Sequence, residues 1–70
     1  MRYREAARKL EQLGCEEKAS RGGGSHRKWT NPLTGGLAVL PDHGSKDLRQ
    51  GTLRAALRDL GIEWKTFEDA

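Results

Sequence analysis

The residues best suited to chemistry lie in one short stretch around His26. This histidine follows three glycines and Ser25, and it precedes the cations Arg27 and Lys28. Imidazole titrates near neutral pH, so it can accept or donate a proton at working pH. Cleavage of RNA through its own 2′-hydroxyl needs such a transfer, together with cations that stabilise the charge on the phosphorane. From spacing alone, a solvent-exposed strand histidine without any role remains the alternative interpretation.

Further cations are placed where they could bind phosphate groups. Arg21 precedes the glycine run that ends at Gly24, and bare glycine backbone lets a phosphate approach closely. Lys46 and Arg49 flank the start of a predicted helix, whose free N–H groups and dipole attract an anion. His43 lies in a polar loop, where a turn or a phosphate contact is as reasonable a role as catalysis.

Other catalytic arrangements find little support in the residue spacing. Cys15, His26 and His43 match no recognised zinc-ligand spacing and offer no fourth ligand, so no metal is predicted. The run from Gly22 to Gly24 is neither a dinucleotide-binding nor a P-loop motif, so no small-molecule cofactor is predicted. Cys15 directly follows a glycine that ends a helix, and we expect a small buried thiol rather than a nucleophile. Trp29 could stack on a base, but a lone strand tryptophan is expected in the core.

Length and composition restrict the chain to one small domain with a thin core. It has 70 residues, of which 34% are hydrophobic, and no apolar run is long enough to cross a membrane. No charged-then-apolar leader opens the sequence, and a lone cysteine excludes an internal disulfide framework. We therefore expect a cytoplasmic protein.

Positive charge is concentrated in the middle of the chain. Thirteen Lys and Arg residues against ten Asp and Glu residues give a net charge of +3. Residues 21–54 carry six basic and two acidic side chains, whereas residues 55–70 carry two basic and four acidic ones. A cationic middle suits a polyanion such as nucleic acid, and ordinary solvated charge is the alternative.

Two apolar stripes with a helical period predict helices over residues 3–13 and 52–60. The first stripe is followed by Gly14 and the second by Gly61, and glycine adopts the left-handed conformation that ends a helix. The arginines of the opposite face of the first helix are interpreted as solvated charge: Arg2, Arg4 and Arg8.

Between the helices the sequence predicts a three-stranded antiparallel meander. The strands are expected over residues 15–20, 25–30 and 37–40, joined by two short glycine-containing turns. The resulting order is α-β-β-β-α, an α+β fold with two helices on one face of the sheet. The acidic segment 63–70 is expected either to form a short extra turn or to pack loosely.

Three segments in this order carry a resemblance to a known family. They are a first helix ending in Leu13-Gly14, the triplet Gly24-Ser25-His26, and the stretch from Asp47 to Arg54 that leads into a helix ending in Leu60-Gly61. Together they resemble the HicA-type toxins, the YcfA-like family, over roughly residues 3–62. We therefore expect a single toxin domain over residues 1–62 and a C-terminal tail over residues 63–70.

The resemblance implies a double-stranded-RNA-binding-domain-like fold and a metal-independent mRNA interferase, an endoribonuclease of a type II toxin–antitoxin system. It implies mRNA as substrate, a HicB-type antitoxin that covers the active surface, no membrane and no cofactor. His26, the histidine of the triplet, would be the catalytic acid or base. Many members carry a second histidine directly after it, where this chain has Arg27. The residues expected to contact RNA are Arg21, Gly24, Ser25, Arg27, Lys28, Lys46 and Arg49.

Two other functions stay open at this point. One is a non-catalytic RNA-binding module of the same fold, which would use the basic middle without cleavage. The other is an interaction protein that binds a partner through the meander and the acidic tail. Growth arrest that depends on His26 would separate the enzyme from both.

Overall fold

A computed structural model describes residues 1–18 and 25–70. The elements run in the predicted order α-β-β-β-α, followed by one further short helix, and this confirms the α+β fold. The predicted turn over residues 21–24 lies outside the described residues. Within the described part, no helix has both the length and the apolar character needed to cross a membrane. The elements are α1 (Tyr3–Gln12), β1 (Glu16–Lys18), β2 (His26–Asn31), β3 (Gly36–Pro41), α2 (Gln50–Leu60) and α3 (Trp64–Glu68).

The three strands form an antiparallel sheet in the order β1-β2-β3. Trp29 of β2 lies opposite Glu17 of β1 and Ala38 of β3. Because side chains alternate along a strand, Trp29 and its neighbours two residues away point to the face that packs against the helices. His26 and Lys28 are exposed on the opposite, open face.

The predicted apolar stripes form the core between the helices and the sheet. Trp29 is 1% exposed, which confirms its predicted place in the core, and its indole N–H donates to the Tyr3 hydroxyl at 3.0 Å. Cys15 is also buried, as predicted, and burial raises the pKa of its thiol. The fully buried leucines come from both long helices and from β3: Leu10, Leu40, Leu57 and Leu60.

Both long helices end in the same hydrogen-bonded motif. After α1, Gly14 has a φ of +90°, and the N–H of Cys15 donates to the carbonyl of Leu10 at 2.9 Å. After α2, Gly61 has a φ of +71°, and the N–H of Ile62 donates to the carbonyl of Leu57 at 2.9 Å. A left-handed glycine with a bond back across the last turn is the Schellman arrangement, so the two predicted helix ends are confirmed.

The start of α2 differs from the prediction. The helix begins at Gln50 rather than at residue 52, with Arg49 as its N-cap residue. The N–H of Leu53 donates to the Arg49 carbonyl at 3.0 Å, which adds the extra residues to the helix. Thr52 therefore lies inside the first turn, and no side chain caps the start of the helix.

The segment after Ile62 packs firmly against the rest of the molecule. It forms α3, and the Phe67 side chain is fully buried in the same cluster as Leu10 and Leu57. The Lys9 ammonium lies 5.8 Å from the Phe67 ring centroid and donates to the Glu68 carbonyl at 2.9 Å. Of the two expectations for residues 63–70, the structure shows the short extra turn and not loose packing. The buried Phe67 ring adds to a small core.

We predict that Phe67→Ala lowers the free energy of unfolding by about 3–5 kcal/mol, because it removes a fully buried aromatic ring. A domain of this size has a total stability of only about 3–5 kcal/mol, so the variant should be largely unfolded. Thr66→Ala, at the exposed neighbouring position, is the matched control. Cooperative folding of Phe67→Ala at wild-type stability would show that residues 63–70 are a dispensable tail.

We also predict that Tyr3 ionises only when the protein unfolds. Burial, reinforced by a hydrogen bond to the Glu17 carboxylate, raises the pKa of the Tyr3 phenol well above its ordinary value. Stability should therefore fall as pH rises above about 10, where the unfolded phenol loses its proton and the native one does not. Tyr3 is the one tyrosine of the chain, so an absorbance titration reports on it alone. Ionisation of the folded protein at the ordinary pKa would contradict this.

Candidate active site

His26 opens onto a groove at the end of the sheet. It is the first residue of β2 and lies opposite Pro41, the last residue of β3. The groove encloses about 730 Å³ between this sheet end, the loop over residues 42–47 and the start of α2. We call it the histidine groove. Its polar side chains are His26, His43, Lys46, Asp47, Arg49 and Thr52.

The histidine groove is cationic. Lys46 and Arg49 line it with exposed side chains, and neither forms an ion pair with any residue that the structure describes. The carboxylate of Asp47 also borders the groove, but it lies 3.4 Å from the Met1 amino group, which offsets its charge. Two cations and two imidazoles beside one cavity can hold a phosphate and transfer protons to and from it.

Local hydrogen bonds hold the loop that forms one wall of the groove. The Asp42 carboxylate accepts from the Gly44 N–H at 3.1 Å, and Gly44 has a φ of +66°, which favours glycine. The N–H of Asp42 donates to the Ser25 carbonyl, so the end of β3 is joined to the residue that precedes β2. His43 therefore lies in a loop that is anchored beside His26.

The structure brings three predicted site residues together and separates others from them. His26, Lys46 and Arg49 line one groove. Lys28 shares the open sheet face with His26, where it lies opposite Val39, but it is not part of the groove lining. Ser25 is exposed and directly precedes His26. Arg21 and Gly24 lie outside the described residues.

Arg27 points to the other side of the sheet from His26. Its guanidinium lies 3.5 Å from the Asp42 carboxylate and 3.9 Å from that of Glu17. Its Nε is buried and has no hydrogen-bond partner among the described residues. The sequence places Arg27 next to His26, but strand alternation makes it a link between β1, β2 and the loop after β3.

His43 is the site residue whose position the sequence reasoning did not resolve. His43 lines the same groove as His26 because His26 pairs with Pro41, which lies two residues before His43. The available signal was that His26 lies near the start of one predicted strand and His43 lies three residues after the end of the next. That signal required the register, which the sequence did not supply.

Comparison with known proteins assigns the chain to a family. A family model described as the HicA toxin of bacterial toxin–antitoxin systems matches residues 3–62, from the first residue of α1 to just past α2. A curated protein of Pseudomonas fluorescens (strain Pf0-1), named probable mRNA interferase HicA, is 36% identical over 63 residues, which cover 90% of this chain and 98% of the relative. No solved structure gives a significant match. The elements that build the histidine groove fall inside the matched range, and the chain belongs to the HicA family of bacterial toxins.

Proposed function

We propose that this protein is the toxin of a toxin–antitoxin pair and that it cleaves mRNA with His26 as general acid or base. The observation that carries this proposal is the histidine groove, which combines His26 with His43, Lys46 and Arg49. Membership in the HicA family and a relative named as a probable mRNA interferase support the endoribonuclease class. A protein that acts on mRNA would work in the cytoplasm.

The proposed reaction uses side chains alone. A neutral imidazole removes the proton of a ribose 2′-hydroxyl, and the 2′-oxygen attacks the adjacent phosphorus. The P–O5′ bond breaks, and the leaving 5′-oxygen takes a proton from an imidazolium. The products are a 2′,3′-cyclic phosphate and a 5′-hydroxyl. His26 would fill one of the two proton-transfer roles, and His43, on the same groove, would fill the other.

The phosphate contacts divide by position. Lys46 and Arg49 would stabilise the charge of the pentacoordinate phosphorus, helped by the free N–H groups at the start of α2. Lys28 would contact backbone phosphates beside the groove, and the predicted contacts of Arg21, Gly24 and Ser25 remain part of the proposal. Arg27 is held in two ion pairs on the far side of the sheet, so we assign it to positioning the groove wall.

A HicB-type antitoxin would inhibit the toxin by covering this groove. Val39 lines the groove, Leu37 lies two residues before it on the same face of β3, and both side chains are exposed. A protein that covers His26 would therefore also bury apolar surface of the sheet, which favours association.

We predict that His26→Ala lowers the rate of RNA cleavage by about 10²–10⁴-fold, because it removes a proton-transfer group. The free energy of unfolding should change by no more than about 0.5 kcal/mol, since the side chain is exposed. The measurement is cleavage of a long mRNA in EDTA, with growth arrest on expression as a second readout. Thr30→Ala, on the same strand and face but outside the groove, is the control.

Cleavage by His26→Ala at the wild-type rate would remove the catalytic assignment. An unfolded His26→Ala protein would show instead that the residue is structural. RNA binding without cleavage by the wild-type protein would favour the non-catalytic RNA-binding module.

We predict that His43→Ala also slows cleavage and removes one limb of the pH–rate profile. Two proton-transfer groups with opposite roles give a bell-shaped profile, in which the base sets the acidic limb and the acid sets the alkaline limb. The variants of His26 and His43 should lose opposite limbs of kcat/KM. A wild-type rate and an unchanged profile for His43→Ala would leave His26 without this partner.

We predict that RNA affinity falls steeply with salt and that Lys28→Glu with Lys46→Glu weakens binding to all sequences alike. Contacts to phosphates carry no sequence information, and their strength depends on counterion release. Arg58→Glu with Lys65→Glu reverses the same number of charges on exposed positions of α2 and α3 away from the histidine groove. Salt-insensitive binding, or equal behaviour of the two double variants, would show that the basic middle is not the RNA surface.

A further inference from the structure

A second groove lies on the other side of the loop over residues 42–47. It encloses about 670 Å³, close to the volume of the histidine groove, between this loop and the start of α1. Gly44 and Ser45 form its loop side. Its basic side chains come from the first turns of the chain, and we call it the arginine groove: Arg2, Arg4 and Arg8.

The arginine groove has an excess of positive charge. All three arginines are exposed, and within the described ranges none of them forms an ion pair. Two carboxylates border the groove. Asp42 is already paired with Arg27 at 3.5 Å. Glu11 lies one helical turn from Arg8 and two turns from Arg4, and it forms no ion pair with any residue that the structure describes. Arg4 and Arg8 are one turn apart, so their guanidinium groups project from the same side of α1.

The loop over residues 42–47 separates the two grooves. Gly44 and Ser45 face the arginine groove, whereas His43 and Lys46 face the histidine groove. The start of α1 is tied to the end of this loop, because Arg2 pairs with Asp47 in an isolated β-bridge. The N–H of Leu48 donates to the Met1 carbonyl at 2.8 Å. The spacing between the two grooves is therefore set by the fold.

We infer that the arginine groove binds the phosphate backbone of the same RNA strand, outside the phosphate that is cleaved. This inference rests on the proposed function, since it takes the histidine groove as the cleavage site. A strand that leaves the histidine groove crosses the loop at Gly44, which presents no side chain, and reaches Arg4 and Arg8. Guanidinium groups bind phosphate oxygens through paired N–H donors. The arginines of α1, read from sequence as solvated charge, then act as a remote substrate-binding site.

The test uses a double variant that carries both Arg4→Gln and Arg8→Gln, and compares it with a control double variant that removes the same charge elsewhere. Arg58→Gln with Lys65→Gln is that control, because neither residue lines either groove. The ligand is a 2′-O-methyl RNA single strand of about 12 nucleotides, which has no free 2′-hydroxyl and cannot be cleaved by the proposed route. Loss of two phosphate contacts should reduce the slope of log K against log salt by about 1.4. The control should keep the wild-type slope.

Cleavage of short and long RNA provides the second readout. A dinucleotide fills the histidine groove alone, so its kcat/KM should be the same for the wild type and the Arg4/Arg8 variant. The kcat/KM of the longer strand should fall in the variant, because remote binding energy is lost. Arg4→Lys with Arg8→Lys should restore most of the salt slope, since it returns the charge. Unchanged thermal unfolding of all variants would exclude a folding defect.

An Arg4/Arg8 variant that behaves like its control on both substrates would overturn the inference. So would a variant that binds RNA normally and loses only its affinity for the antitoxin, because the groove would then be a protein interface. If the Arg4/Arg8 variant shows the expected smaller salt slope but the wild-type protein cleaves no RNA, the arginine groove is upheld and the proposed catalysis is refuted. If the wild-type protein cleaves RNA and the Arg4/Arg8 variant binds and cleaves it equally well, the proposed catalysis is upheld and the arginine groove is refuted.

Discussion

Strand β2 directs Trp29 and Arg27 toward the helices and His26 toward solvent. A slip of one residue against its neighbours would exchange the two sets, and the register is therefore the constraint on which the site depends. A chain of polar contacts on the helix side opposes that slip. The Trp29 indole N–H donates to the Tyr3 hydroxyl, Tyr3 donates to the Glu17 carboxylate, and Glu17 pairs with Arg27. The three links join β2 to α1, α1 to β1 and β1 to β2, so shifting one strand would leave the buried polar groups of Trp29 and Tyr3 without partners.

The same contacts extend to the wall between the two grooves. Arg27 pairs with Asp42, and the other oxygen of Asp42 accepts from Gly44, so the loop after β3 is held from the helix side of the sheet. An interaction on one face thereby positions His43 and Lys46 on the other. Arg27 directly follows His26 in the sequence, but its side chain is part of the support for the groove. His43 lines the same groove as His26 from the loop.

A separate set of contacts orients α2 from its far end. The buried amide of Asn31 donates to the Leu60 carbonyl at 2.8 Å, and its oxygen accepts from the Leu33 N–H. Gly36 permits this approach, because a Cβ there would lie 2.3 Å from the Asp59 carbonyl oxygen. With its C-terminal end held against the β2–β3 turn, α2 presents its N-terminal end, at Arg49, to the histidine groove.

The sequence by itself determined the elements that rest on local periodicity. The two helical stripes, their glycine ends and the three-strand meander follow from side-chain spacing and backbone freedom, which neighbouring residues decide. It also selected His26 as the residue to test. Tertiary structure decided which side chains lie together: the ion pairs of Arg27, the groove that His26 and His43 both line, and the burial of Phe67 in the core. These contacts join residues far apart in the chain, and they depend on strand register and helix docking, which composition and local spacing do not encode.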